Sequence, residues 1–241
     1  MMRKLFSESH SQGWAAWLLV WLCLAPAPAR AFEGRIRAVM TRGVEVMPLL
    51  YTAGTNCLRI ETGIASQPYP VNLLNLNSGE LTLVFPHIHS FIRVKSPAAA
   101  PTPGGRAPTN LPGASPPPMA AQVEITATGD HTNLLGLACD KYEIRARDEV
   151  MEVWATDQLL PFQPWQQNQR PRFGPQRMEE QWAGLLMEKK LFPLQAVLRL
   201  ASGAEPLRFE VRSIQRETVA DKDGTLFQPP PDYTEVPALP L

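Results

Sequence analysis

"GLACDKYEIRARDEVMEVWATD", residues 136–157, is the stretch on which the fold turns. Ala138, Asp140, Tyr142, Ile144 and Ala146 share one parity, and Lys141, Glu143, Arg145 and Arg147 take the other. An apolar and polar alternation of period two is the pattern of a half-solvated strand. "EVMEVWATD" follows almost at once, so "ARDEV" reads as a hairpin turn between two strands. The same stretch crowds Cys139, Asp140, Lys141 and Tyr142 together, which raises the competing possibility of a thiol active site. A nucleophilic cysteine needs a cation, a histidine or a helix terminus to lower its pKa. Cys139, Asp140 and the more distant His131 could supply the parts, but nothing in the pattern places them together. The strand reading is preferred, with Cys139 outward and no catalytic role.

Upstream, the same strand language holds. Ile36, Ala38 and Met40 alternate with Arg35, Arg37 and Val39. "NCLRIET" puts Leu58 and Ile60 on one face and Cys57, Arg59 and Glu61 on the other. "VNLLNLNSGELTLVF" is two apolar runs broken by Asn77, Ser78 and Gly79, residues that favour a tight reversal, and "SFIRVK" adds another strand. The amino-terminal half therefore reads as an antiparallel meander, and "QVEITATG" resumes strand character after it.

Downstream, helical spacing appears in "QRMEEQWAGLLMEKK", where Met178, Trp182, Leu185 and Leu186 share a face, with Glu179 and Glu180 early and Lys189 and Lys190 late to match the helix dipole. "LLPFQPW" reads as a short helical turn interrupted by Pro161 and Pro164. "LQAVLRLASGAEPLRFEVRSIQRE" makes a last hairpin around Ser202, Gly203 and Ala204, and "DGTLFQPPPDY" closes the domain as a loop.

Two segments lie outside this pattern. Arg3 and Lys4 precede the apolar run "WAAWLLVWLCLA", and "APAPARA" follows it, the layout of a secretory signal peptide over residues 1–31 with cleavage expected near Ala31. The run is about twelve residues long, short of the ~20 a bilayer span needs, so no membrane-spanning segment is expected. Residues 96–122 hold eight prolines and three glycines with Arg106 as their one charge, and a segment of that composition is expected to be a disordered, flexible insertion in a single domain of residues 32–241.

Export sets the compartment as periplasmic or extracellular. Taking Arg3, Lys4 and Arg30 against Glu8 from 23 basic and 23 acidic residues leaves 20 and 22. Such a balance carries no broad basic field, which argues against nucleic acid or an anionic membrane as partner. Cys57 and Cys139 both fall on the polar parity of their strands, and an oxidising compartment allows a disulfide between them where their Cα atoms approach within about 7 Å.

In order, "FEGRI", "LRIET", "LVFPHIHSFIRV", "GLACDKYEI", "EVWATDQL", "FPLQAVLRL" and "LFQPPPDY" resemble a bacterial family, the domain of unknown function 4412. Gly136, Lys141, Tyr142, Trp154, Thr156, Phe227, Pro229 and Tyr233 carry the match, over nearly all of residues 32–236. Such proteins are similar to the LolA and LppX group. The resemblance implies an α+β fold, a curved antiparallel β-sheet or half-barrel packed on one main helix, with an apolar concave surface that in relatives carries lipids or lipid-modified proteins.

The candidate sites follow from this. "PHIHSF" sets His87 and His89 two apart on a strand, with both imidazoles toward one face. Zinc needs at least a third protein ligand, and no acid or cysteine is close in sequence, so no metal is expected. Ile36, Met40, Leu58, Ile60, Tyr142, Ile144, Trp182 and Leu186 are the residues expected to line an apolar surface between sheet and helix, either as a binding face or as plain core. The expectation is an exported, monomeric, non-enzymatic binding or carrier protein for a lipophilic envelope component, a lipid or lipidated protein, with no cofactor. The alternative is an envelope protein-interaction module with a filled core.

Overall fold

The amino-terminal meander forms as the alternation dictates. In the computed structural model, which describes residues 32–63, 69–95, 124–146, 149–166, 178–221 and 224–237, strands β1 (Gly34–Arg42), β2 (Glu45–Ala53), β3 (Cys57–Thr62), β4 (Val71–Asn75), β5 (Glu80–Phe85) and β6 (Ser90–Lys95) each pair antiparallel with the next. The leader read at 1–31 and the insertion read at 96–122 lie outside the described residues. Ile36, Ala38 and Met40 are buried and their neighbours in β1 are not, as the period-two reading requires.

The second half builds β7 (Glu124–Leu134), β8 (Leu137–Ala146), β9 (Glu149–Thr156), β10 (Phe192–Leu200) and β11 (Leu207–Arg216), again in antiparallel succession, with helix α1 (Met178–Glu188) between β9 and β10. Leu135 and Gly136 both have positive φ and join β7 to β8 as a two-residue turn whose twist suits a hairpin. Pro193 falls where the β9–β10 register slips, a position that tolerates the missing N–H.

One pairing joins the halves. β1 runs antiparallel to β11 from Gly34↔Arg216 to Arg42↔Leu207, and a two-residue strand, β12 (Thr234–Glu235), adds in parallel to β6. The result is a 12-stranded sheet in the order β12-β6-β5-β4-β3-β2-β1-β11-β10-β9-β8-β7, open at both ends. A sheet wider than about ten strands curls, and this one is curved so that Ile36, Tyr51 and Ile60 from one limb share a core with Ile144, Phe192 and Phe209 from the other.

The expected parity of β8 needs correction. Cys139 is not outward with Lys141, Glu143 and Arg145 but buried, with 1% of its surface exposed. The β8–β9 pairing runs without a register shift, so the alternation itself holds. The strand instead buries opposite faces at its two ends, Leu137 and Cys139 at the start and Ile144 near the finish. A strongly twisted edge hairpin does not keep one face toward the core along its whole length. Cys139 and Cys57 are both free, on strands with five others between them, so the disulfide considered from sequence is not made.

Candidate functional site

The helix is seated by the residues whose spacing announces it. Met178, Trp182 and Leu186 are buried, and Leu185 is partly buried against the same core. Its end is fixed by Lys190 in the left-handed conformation (φ 57°), with Leu191 N–H donating to the Leu186 carbonyl at 2.9 Å, the pattern of a Schellman stop. Trp182 meets Phe162 at 5.0 Å and Phe209 at 6.1 Å between ring centroids.

Phe162 belongs to residues 157–166, which form no helical turn. They run as an irregular strap, bent at 157–159, because Pro161 and Pro164 remove donors and disfavour the helical region in the residues before them. The strap links the two limbs of the sheet. Phe162 packs edge-on against Phe192 and Phe209, its N–H donates to the Leu191 carbonyl at 2.9 Å, and Leu159 and Leu160 are buried beside it. At the far end Trp165 Nε1 donates to the Pro70 carbonyl at 3.0 Å and its ring stands perpendicular to Tyr69 at 5.3 Å. Asn72 on β4 completes the attachment. With its amide oriented to satisfy both groups, it donates to the Gln166 carbonyl (2.9 Å) and accepts from the Gln166 N–H (2.6 Å).

Between this strap, α1 and the β3–β6 limb lies a groove of about 460 Å³. Register builds its floor: Leu58, Leu74, Leu81 and Val94 form one cross-strand row, and Ile60, Asn72, Leu83 and Ile92 the next. Leu74, Leu81, Val94, Ile60 and Asn72 line the cavity, with Asn75, Leu76 and Gly79 at the β4–β5 turn, Gln163, Pro164 and Gln166 from the strap, and Ala183, Gly184 and Met187 from the helix. None of these side chains is charged. Met187, 46% exposed, stands at the lip.

Of the eight residues expected to form the binding face, Ile60 lines this groove. Ile36, Met40, Leu58, Ile144, Trp182 and Leu186 are buried in the core, and Tyr142 packs partly buried against it. The groove draws instead on the flank of α1 next to its buried face and on the strap. The signals for these in the sequence are slight: a glycine inside a helix at 184, and an asparagine at an inward position of "VNLLN".

The histidines are placed differently from the strand reading. Pro86–Ile88 is a 3₁₀ turn with Pro86 in its first turn, and His89 closes it in the left-handed region (φ 49°). The two imidazoles therefore do not share a strand face: His87 stands edge-on to Phe85, while His89 stacks on Tyr233 at 5.0 Å. Among the described residues no cluster of three or more metal-ligating side chains occurs. His131 and Asp140, which the sequence leaves apart, sit opposite each other across β7–β8 with Nδ1 and Oδ1 2.6 Å apart on the exposed surface. Cys139, next in the strand, points to the other face, where burial raises its pKa and its Sγ lies 3.5 Å from the Leu137 carbonyl. A His–Asp pair is present, but the thiol is turned away from it.

A second cleft, of about 410 Å³, lies between Asp221, Gly224, Phe227, Gln228 and Pro229 and the opposite face of β3–β6, where Cys57, Glu80 and Arg93 line it. Its charges are paired off: Arg93 reaches Glu80 at 3.6 Å and Glu235 at 3.1 Å, and Asp221 accepts from the Leu226 N–H at 3.0 Å. A small cluster of Leu73, Val84 and Phe91, flanked by Val71 and Tyr233, closes the same face.

The fold and groove define an open, curved antiparallel sheet with one described helix set on it beside an uncharged cavity. The family model described as a domain of unknown function (DUF4412) matches residues 114–233, in line with the resemblance read from the order of the sequence motifs. No curated protein matches the sequence. Among solved structures, the chain is similar to PNGF-II at 14% identity and a TM-score of 0.46, covering 86% of this chain and 31% of that one, so it spans about a third of PNGF-II. It is similar to an uncharacterized conserved protein from Thermus thermophilus at 12% identity and a TM-score of 0.46, over 85% of this chain and 91% of that one. An outer membrane lipoprotein-sorting protein domain from Vibrio parahaemolyticus aligns at 10% identity and a TM-score of 0.28, over 79% of this chain and 86% of that one. Among the described residues no helix is long and apolar enough to cross a membrane.

Proposed function

We propose that the protein is an exported, non-enzymatic binding or carrier protein that holds a lipophilic envelope component in the groove between α1, the strap and the β3–β6 limb. The observation that carries this reading is the groove itself: about 460 Å³, floored by cross-strand apolar rows and free of charged side chains among its described lining residues. Cavities of roughly 300–1,000 Å³ with apolar walls and a few fixed polar groups are the usual form of small-ligand sites. Uptake is driven by burial of apolar surface, at roughly 25 cal/mol per Å². The charge and length pattern of residues 1–31 supports periplasmic delivery. The LolA-like resemblance in the order of the sequence motifs accords with a lipid or lipidated protein as the cargo.

Native mass spectrometry of the protein recovered from its own envelope fraction tests the reading. A lipid adduct is expected in the wild type and is expected to be lost in Met187→Glu, which places a charge at the lip without disturbing the core. Protein that emerges free of lipid under gentle ionisation, and takes up none from added lipid, would leave the interaction-module alternative in its place.

A further inference from the structure

The alternation that sets Cys57 with Arg59 and Glu61, on the face of β3 away from the groove, opens its thiol to the second cleft. Cys57 is free and partly exposed, whereas Cys139 is sealed in the core. Phe227 stands beside it: a Cβ on Gly54 would meet that ring at 3.1 Å and the Cys57 sulfur at 3.5 Å, so the bare glycine leaves ring and sulfur their place.

A thiol alone does not make a site. The second observation is Thr82 on β5, which lines the same cleft with 8% of its surface exposed and whose hydroxyl has no hydrogen-bond partner among the described residues. Burying such a group unpaired is costly, and a ligand that supplies the partner removes the cost. Register fixes its distance from the thiol. Cys57 faces Asn75 on β4 and Thr82 faces Leu73, so the two positions lie two strands and one row of side chains apart. Strand spacings of ~4.8 Å and a rise of ~3.3 Å per residue put them about 12 Å apart along the sheet. The cleft's other polar groups divide in two. Arg93 is engaged by Glu80 and Glu235, and Asp221 by the Leu226 N–H, while Asn56, Gln228 and the amide nitrogen of Asn75 bring carboxamide groups, which are complementary to peptide amides.

We propose that Cys57 is a thiol-exchange site that takes up a low-molecular-weight peptide thiol as a mixed disulfide, the peptide lying across β4 to the Thr82 hydroxyl. The site is separate from the groove and does not depend on what the groove holds. In the exchange the Cys57 thiolate attacks one sulfur of the peptide's own disulfide. The bond to Cys57 forms, the original S–S bond breaks, and the second peptide leaves as a thiolate that regains the proton Cys57 gave up, so one disulfide and one thiol exist before and after. A two-carbon thiol on Cys57 ends short of Thr82, whereas two or three peptide residues, at up to ~3.3–3.6 Å each, reach it.

The test exposes the reduced full mature chain to glutathione disulfide or to hydroxyethyl disulfide, follows the adducts by intact-protein mass spectrometry and locates them by peptide mapping. A single adduct at Cys57 is expected, with Cys139 unmodified. The rate at Cys57 with glutathione disulfide, divided by that with hydroxyethyl disulfide, is expected to be at least about tenfold higher in the folded protein than in the same chain unfolded in urea, as one or two net hydrogen bonds allow. Thr82→Val, its fold checked by a circular dichroism melt, is expected to lower this ratio roughly three- to tenfold without changing the hydroxyethyl rate, and Thr82→Ser to keep it. No adduct at Cys57, a ratio equal to that of the unfolded chain, or an unchanged ratio in folded Thr82→Val overturns the proposal. If Thr82→Val does not fold, the comparison of folded with unfolded wild type decides alone.

Discussion

Truncation of Leu186 to alanine isolates what α1 contributes by packing. The side chain is fully buried among the aromatic and aliphatic residues that join the two limbs of the sheet. Alanine is at least as good a helix former as leucine, so local helix preference is not the source of any loss. The loss comes from lost transfer of the removed atoms plus the cavity they leave, and for wholly buried leucines this amounts to about 2–5 kcal/mol. A domain of this size loses about 2–4 °C in Tm for each kcal/mol, so a mid-range 3 kcal/mol lowers Tm by roughly 6–12 °C. Thermal and urea melts followed by far-ultraviolet circular dichroism measure it. Gly184→Ala, two residues away on the same helix, is the internal control. It fills open space and should raise stability by up to about 1 kcal/mol. A Leu186→Ala protein within about 1 kcal/mol of wild type would refute the reasoning, because a helix that can lose its most buried side chain at that cost is not seated in the core.

Two further outcomes follow from single groups. Tyr51 is buried with a hydroxyl that has no hydrogen-bond partner, and burial drives its pKa well upward. Tyr51→Phe removes an unsatisfied polar atom while keeping the ring against Phe192, so its melt should match or exceed wild type by about 1 kcal/mol, and a clear loss would reveal a partner for the hydroxyl. Glu205 is held below the usual carboxylate range by its hydrogen bond from Arg208 and, after it, that from Arg199, against an opposing effect of desolvation. Its folded pKa lies below the unfolded one, so the stabilisation is present above the unfolded pKa and disappears as pH falls through the folded one. Tm should therefore fall less on acidification in Glu205→Gln than in wild type, by a margin that shrinks with added salt, and parallel curves would contradict the pairing.

The parts of the fold legible in the sequence are those governed by local periodicity. The run Ile36, Ala38, Met40 is buried as its alternation demands, the Asn77–Gly79 and Ser202–Ala204 reversals fall between paired strands, and Met178, Trp182 and Leu186 seat the helix. What escaped depends on long-range geometry. Cys139 obeys the alternation of β8 yet is buried, since which face meets the core changes along a twisted strand of the terminal hairpin. His87 and His89 look like strand neighbours until Pro86 turns the chain into a 3₁₀ geometry. His131 and Asp140 meet through a hairpin register set partly by a bulge between Ala127 and His131, which spacing alone does not encode. The apolar face chosen from sequence is mostly core, because a cavity wall and a packed interior use the same residue types. The groove depends on a missing side chain at Gly184 and on a strap whose prolines read as a broken helix.

The β1–β11 ladder sets an order of events for a chain that emerges from its amino terminus. Gly34 finds its partner, Arg216, only after about 180 intervening residues have been delivered. Until then β1 has β2 on one side and a bare ladder of N–H and C=O groups on the other, the kind of edge that recruits stray strands. Closure of so distant a pair carries a large loop-entropy cost before any contact repays it, which makes this zipper the slow step of maturation. The chain is therefore exposed at a predictable stage, when the strands before β11 have been delivered and the second neighbour of β1 is still to come. A strand from another molecule that pairs with that waiting edge would occupy the place of β11 before the groove exists.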